Sequence, residues 1–372
     1  MAHELLRRPV EGKSLDIWSP FESMLLKKRR TKDSGLPWKR SCEGAHPVTH
    51  LHLLDTSIAS DNIGDEIIME AVRRETRRLA PHAYWTTSST HDGLGPFGRG
   101  QVERADWVIL GGTNGLYSRF QGEGMVSWTL RGEELSLLKG KLVLWGVGAQ
   151  GRGESLDPRQ GNVLGSLLAD AVPHGVRDRS AQLLLEKLGK NSTWVGCPTL
   201  WTQAGREIGS PERPGTVCLA LTAHRPNRLK DRELLGQLRR VYHRFCFWPQ
   251  QPRDLDYFRA LMGPEEAKAV EVLPPNLEAL DEFLRTTDAD YVGTRVHGGI
   301  RAIAHGRWSV LLGIDHRAEE VGGSVGIPVL PREAVGELVN LLARHEPYRI
   351  ELPAEALQRF REFWQTRWAT NA

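Results

Sequence analysis

The sequence predicts an α/β protein built from two βαβ-type halves that face a cleft. Three observations carry this prediction. Apolar runs of strand length alternate with helical patterns, as in a parallel sheet covered on both faces. Glycine-rich turns follow several of those runs. Residues 205–215, with three glycines and two prolines, interrupt the alternation, which then restarts. Halves of this kind bind ligands between them, at the carboxyl ends of their strands. The 372 residues accommodate two such domains.

In the first half, residues 48–54, 107–110 and 141–145 read as strands, with shorter candidates at 82–85, 174–176 and 193–195. Residues 65–79 read as a helix, with Ile67, Ile68, Val72 and Leu79 apolar and Arg73, Arg74, Arg77 and Arg78 toward water. Residues 180–188 read as another, stopped by Gly189. In the second half, 216–221, 244–248, 270–273, 290–293 and 308–312 read as strands. Residues 277–284, 297–305 and 332–342 read as helices, and 354–368 as a terminal one. The chain thus divides into an N-terminal extension (1–46), a first domain (47–204), a linker (205–215) and a second domain with the terminal helix (216–372).

Composition is that of an ordinary globular chain, 40% hydrophobic and 26% charged. The 49 Lys+Arg against 46 Asp+Glu leave a formal net charge of +3. Residues 1–46 hold ten basic and six acidic residues, so the remainder carries 39 and 40 and a net of −1. The excess therefore sits in the extension, chiefly at Lys27-Lys28-Arg29-Arg30. One tetrad is not the basic stripe that nucleic acid requires; it reads as a solvated turn, or as peripheral contact with an acidic membrane surface. No apolar run is long enough to cross a membrane and no signal peptide is visible, so a cytoplasmic location is expected. Cys42, Cys197, Cys218 and Cys246 lack zinc or disulfide spacing. Cys218 and Cys246 lie in apolar runs and are expected in the core.

Five motifs sit where strands end. Asp61-Asn62-Ile63-Gly64-Asp65 opens the first helix, either as an anion-binding turn with Gly64 allowing close approach or simply as a helix cap; its carboxylates could orient a hydroxyl or act as a base. Gly111-Gly112-Thr113 follows 107–110, as a ligand-facing turn or a plain βα turn. Gly146-x-Gly148-x-x-Gly151 matches a dinucleotide fingerprint, but three strands precede it and no helix follows directly. Arg177, ending a short strand, could hold a carboxylate or phosphate bidentately or pair with Asp178 at the surface. Thr294-Arg295-Val296-His297-Gly298-Gly299 is the sharpest. An arginine and a histidine two residues apart at a strand-to-helix junction can serve one anionic ligand, the arginine holding it and the histidine moving a proton near pH 7. His305 and His316 lack ligand spacing to His297, so no metal site is expected.

Taken in order, Asn62-x-Gly64-Asp65, Gly111-Gly112, Gly146-x-Gly148, Val176-Arg177-Asp178, Arg295-x-His297 and Ile303-Ala304-His305-Gly306 make the chain resemble the polysaccharide pyruvyl transferase family over about residues 50–320. The resemblance implies a GT-B-like fold of two Rossmann-like domains. It implies transfer of an enolpyruvyl unit from phosphoenolpyruvate to two hydroxyls of a saccharide, lipid-linked or polymeric, with no further cofactor. By matching positions it implies that Arg295 and Arg177 hold the donor's phosphate and carboxylate and that His297 donates a proton; Asp65, one of the loop carboxylates, is the second catalytic candidate. Asn62, Gly64, Gly111, Gly112, Thr113, Gly148 and Arg317 are implied as substrate-binding.

Three positions depart from the family's habit: Thr113 for a glycine, Thr294 for a serine and Arg317 for a lysine. An arginine keeps the cation but not the ammonium geometry. A glycosyltransferase using a nucleotide sugar and a non-catalytic anion- or glycan-binding relative are the other functions expected of such a chain. Trp85, Trp128 and Trp201 are open as sugar-stacking positions.

Overall fold

Strands buried on both faces send alternate side chains into two core layers. The computed structural model describes residues 48–120, 132–153, 155–209 and 212–369. The basic tetrad at 27–30, Cys42 and Trp128 lie outside them. Pro47–Ala372 forms a compact unit of its own. Among the described residues it holds two six-stranded parallel sheets.

The first sheet contains β1 (His50–Asp55), β2 (Tyr84–Ser89), β3 (Trp107–Gly111), β4 (Leu142–Val147), β5 (His174–Val176) and β6 (Ser192–Trp194), in the order β2-β1-β3-β4-β5-β6. The second contains β7 (Thr216–Ala220), β8 (Arg244–Phe247), β9 (Val270–Val272), β10 (Asp290–Gly293), β11 (Ser309–Gly313) and β12 (Val329–Pro331), in the order β9-β8-β7-β10-β11-β12. The chain therefore has two Rossmann-like domains, the GT-B-like plan. Each order reverses once, between β1 and β3 and between β7 and β10, and the crevice at such a reversal is where doubly wound sheets take ligands.

Successive side chains point to opposite faces. Leu54, Leu110 and Leu144 enter one core layer of the first sheet, while Leu53, Ile109 and Val143 enter the other. In the second sheet Val217, Leu219 and Val310 oppose Cys218, Ala220 and Leu311. Cys218 and Cys246 are fully buried, as their apolar setting predicts. The helix Ile63–Leu79 joins the two domains, since its Ile68 and Val72 pack on the first sheet while Ile67 enters a core layer of the second.

The structure corrects several expectations. Arg73 does not face water: it pairs with buried Asp55 at 2.6 Å and also with Glu66. The 332–342 helix is a 3-10 segment, Arg332–Glu337, followed by the helix Leu338–Arg344. The second candidate strand shifts to Tyr84–Ser89. Helices Pro96–Arg104, Pro158–Leu167, Arg228–Arg239 and Pro252–Leu261 were not among the expected elements. The terminal helix Ala354–Ala369 packs on the first sheet rather than within 216–372: its Phe360, Trp364 and Trp368 surround Trp145 of β4, with ring centroids 4.7, 6.3 and 5.3 Å away. Trp201 and Trp85 join this aromatic cluster, Trp201 facing Trp145 and Trp85 edge-on to Trp368. No helix among the described residues is long and apolar enough to cross a membrane.

Candidate functional site

The carboxyl ends of both sheets open on one cavity of about 650 Å³. Its wall takes Asp61 and Asn62 from the loop after β1, Asp65 from the first turn of the helix Ile63–Leu79, Thr113 and Asn114 from the loop after β3, and Arg177 from the end of β5. The other domain supplies Thr222 to Arg225 after β7, Gln250, Gln251 and Arg253 after β8, Thr294 to His297 after β10, and Asp315 and Arg317 after β11.

Asn62 caps the helix Ile63–Leu79, its Oδ1 accepting from the Gly64 amide. That oxygen also accepts from Gln250 Nε2 of the second domain at 2.8 Å, while Gln251 Nε2 donates to Asp61 at 2.9 Å. A Cβ on Gly64 would lie 2.5 Å from Gln250 Nε2, so glycine here lets the domains approach. Asp65 accepts from Ser60 Oγ at 2.6 Å. Burial pushes its carboxyl up despite that bond, which makes it a better proton acceptor.

The glycine turns serve packing. A Cβ on Gly112, whose φ is +63°, would lie 1.9 Å from Ile68 Cγ2, and one on Gly111 2.6 Å from Val72. Gly148 leaves room for the Arg177–Asp178 pair, whose atoms a Cβ would meet at 2.1 and 2.3 Å. Gly64, Gly111, Gly112 and Gly148 thus permit close approach of helix, strand and domain beside the cavity. Thr113 stands on the cavity wall, and its carbonyl accepts from the Gly148 amide.

Arg177 is not a surface turn. It is 3% exposed and donates to the Gly112 carbonyl, Asn114 and Asp178, so it braces the loop after β3. Asp178 also caps the helix Arg179–Lys187. Arg295 is gripped by fully buried Asp254 through Nε at 2.9 Å and Nη2 at 2.5 Å, with Nη2 also donating to Gln251. Arg317 folds back on Asp315, Nη2 to Oδ2 at 2.8 Å. Burial opposes ionisation of Asp315, yet the Arg317 contacts outweigh it and hold the carboxyl below its usual range. Thr294 Oγ1 accepts from the Thr222 amide at 2.8 Å, so this threonine keeps the hydroxyl that ties the two second-domain loops together.

His297 sits in the first turn of the helix Val296–Ala304, half-buried, its Nε2 3.9 Å from Cys197 Sγ. Burial first, then the charges of Arg177 and Arg317, pull its imidazole down to about 3. The expectation of a histidine poised near pH 7 is corrected: burial and the two cations keep the ring neutral there.

A family model for polysaccharide pyruvyl transferase matches residues 62–316, from the Asn62 cap to the residue before Arg317. The chain belongs to the polysaccharide pyruvyl transferase family. As a member of that family it is a transferase of polysaccharide chemistry. No curated protein matches its sequence. Among solved structures it is similar to a UDP-GlcNAc 2-epimerase of Methanocaldococcus jannaschii in complex with UDP-GlcNAc and UDP, at 10% identity over 87% of this chain and 99% of that one, TM-score 0.49. It is also similar to the heptosyltransferase WaaC of E. coli, at 13% identity over 84% and 98%, TM-score 0.38.

Beside the family motifs, the cavity holds His224, Arg225, Gln250, Gln251 and Arg253, with Asp254 behind Arg295, none of which the sequence reading singled out. They lie after β7 and β8, and β7 is the first strand of its sheet. The rule that ligands sit at the ends of strands flanking a reversal would have pointed to the Thr222–Arg225 loop. Arg253 follows Pro252 in a stretch without apolar period and carried no such signal.

Proposed function

We propose that this family member transfers an enolpyruvyl unit from phosphoenolpyruvate to two hydroxyls of a saccharide, forming a cyclic ketal and releasing phosphate. The observation that carries the reading is the single cavity that brings Arg295 and His297, at the reversal point of one sheet, together with Asp65, at the reversal point of the other.

The chemistry suits these groups. Protonated His297 delivers its proton to the donor's methylene carbon, and positive charge develops at the adjoining carbon. A saccharide hydroxyl attacks that carbon and loses its proton to Asp65, whose raised carboxyl suits it as a base. The carbon–oxygen bond to phosphate then breaks, and a second hydroxyl closes the ketal. Of the two hydroxyl protons, one replaces the proton given to carbon and the other leaves with phosphate. Arg295 would steady the departing anion while Asp254 keeps its guanidinium in register.

The test is incubation with phosphoenolpyruvate and a panel of free, lipid-linked and polymeric saccharides. Phosphate release and a new ketal methyl resonance are expected only when donor and acceptor are both present. Phosphate release without any saccharide would overturn the reading, as would thermal stabilisation by a nucleoside diphosphate but not by phosphoenolpyruvate.

A further inference from the structure

Five arginines line the cavity, and three bring a carboxylate with them: Arg177 with Asp178, Arg295 with Asp254 and Arg317 with Asp315. Each such pair is close to neutral as a unit, so it offers an incoming dianion directed N–H groups but little net charge. The other two differ. Arg253 is exposed and makes no hydrogen bond or ion pair to any described residue. The nearest carboxylate to Arg225 is Asp315 at 3.9 Å, which Arg317 already holds at 2.8 Å.

Arg225 is also mounted deliberately. Its φ is +56°, a left-handed conformation that costs free energy in any residue with a Cβ. The conformation is held from behind, because Arg332 Nη1, on a side chain buried near Asp231, donates to the Arg225 carbonyl at 2.8 Å. The loop bearing Arg225 and the helix Pro252–Leu261 bearing Arg253 are joined where the Ala223 amide donates to Asp254 Oδ1 at 2.9 Å. Both side chains therefore reach the same cavity from adjoining elements of the second domain.

We propose that Arg225 and Arg253 form a phosphoryl-binding subsite, separate from the Arg177 and Arg295 positions of the family motifs. A guanidinium offers a phosphoryl dianion a planar fork of N–H groups, and of the five on the cavity wall Arg253 has no carboxylate partner among the described residues while Arg225 has only a share of Asp315. The phosphoryl group can be the donor's own or one carried by the saccharide acceptor; only the first source rests on the function proposed above.

The experiment uses the full chain and inorganic phosphate as probe, titrated calorimetrically. Arg225→Gln and Arg253→Gln are each expected to weaken phosphate binding roughly tenfold or more. Arg225→Lys should restore part of the loss. Arg244→Gln, at the amino end of β8, should bind like the parent. Unchanged affinity in both Gln variants overturns the subsite, and because Arg253 makes no bond to any described residue, its variant tests this without a folding defect. Steady-state kinetics then separate the sources: a raised KM for phosphoenolpyruvate assigns the donor phosphate, and a raised KM for a phosphate-bearing acceptor alone assigns the acceptor. Phosphate binding lost in the variants of a protein that shows no pyruvyl transfer would leave the subsite standing and remove the transferase reading. Transfer that persists with phosphate affinity unaltered would do the reverse.

Discussion

His297 illustrates how a residue identified by its place in a motif gains its chemistry from its neighbours. The Arg-x-His spacing was legible because it follows an apolar strand and opens a helix. The depressed basicity was not, because it comes first from burial in the folded cavity and then from Arg177, more than a hundred positions away, and from Arg317. Entry of an anionic donor opposes those two charges, so binding of phosphoenolpyruvate should be accompanied by proton uptake at neutral pH. Calorimetry in buffers of differing ionisation enthalpy would measure that uptake. Zero uptake in the parent protein would remove His297 as the proton source. Replacing His297 by Ala should abolish the uptake and lower ketal formation by ~10²–10⁴-fold while the donor still binds, as measured by turnover and titration. The glycines show the converse. They were legible as special positions, but what they accommodate (Ile68, Val72, the Arg177–Asp178 pair) depends on contacts that no local pattern contains.

Elements with a strong period or an uninterrupted apolar run were readable within a few residues, β10 at Asp290–Gly293 being identical to its prediction. Two of those that were not read are short helices whose buried side is narrow. Pro96–Arg104 buries only Val102, and Pro158–Leu167 buries Gln160, Leu164 and Leu167, too few to set a period. The junction of β4 with β5 depends on a single absent Cβ. Gly148→Ala would drive a methyl group into Arg177 and Asp178 and break a buried pair, a change that costs about 3–5 kcal/mol. Urea unfolding should show the loss, and parental stability would mean that the pair can move aside freely. A second consequence concerns β1 and β5. His174 donates through Nε2 to the Ala169 carbonyl at 3.0 Å and accepts at Nδ1 from the Leu144 amide, an arrangement that only the neutral ring permits. Burial pulls His174 and His52 down to about 4 from 6.5. Between those values the unfolded chain binds the more protons, so their contribution is intact above about pH 6.5 and lost as pH falls toward 4. At about pH 5 each should have given up about 2 kcal/mol. Urea midpoints at neutral pH and near pH 5 would measure this, and an equal midpoint at both would show that the rings protonate without cost.

At the scale of the whole molecule, the two-domain plan was legible because parallel sheets announce themselves as repeated apolar runs. The ownership of the last helix was not, since an amphipathic helix does not say which sheet it will cover. Truncating Trp364, wholly buried between Trp145, Trp107 and Phe363, should cost about 3–5 kcal/mol in urea unfolding. A parental midpoint would show that the helix contributes little to the first domain. The same packing bears on biosynthesis. A ribosome releases the strands of the first sheet early, yet Trp145 finds Phe360, Trp364 and Trp368 only after the entire second sheet has emerged. The domain begun first is therefore completed last, and throughout elongation its widest aromatic surface stands open to any holdase near the exit tunnel.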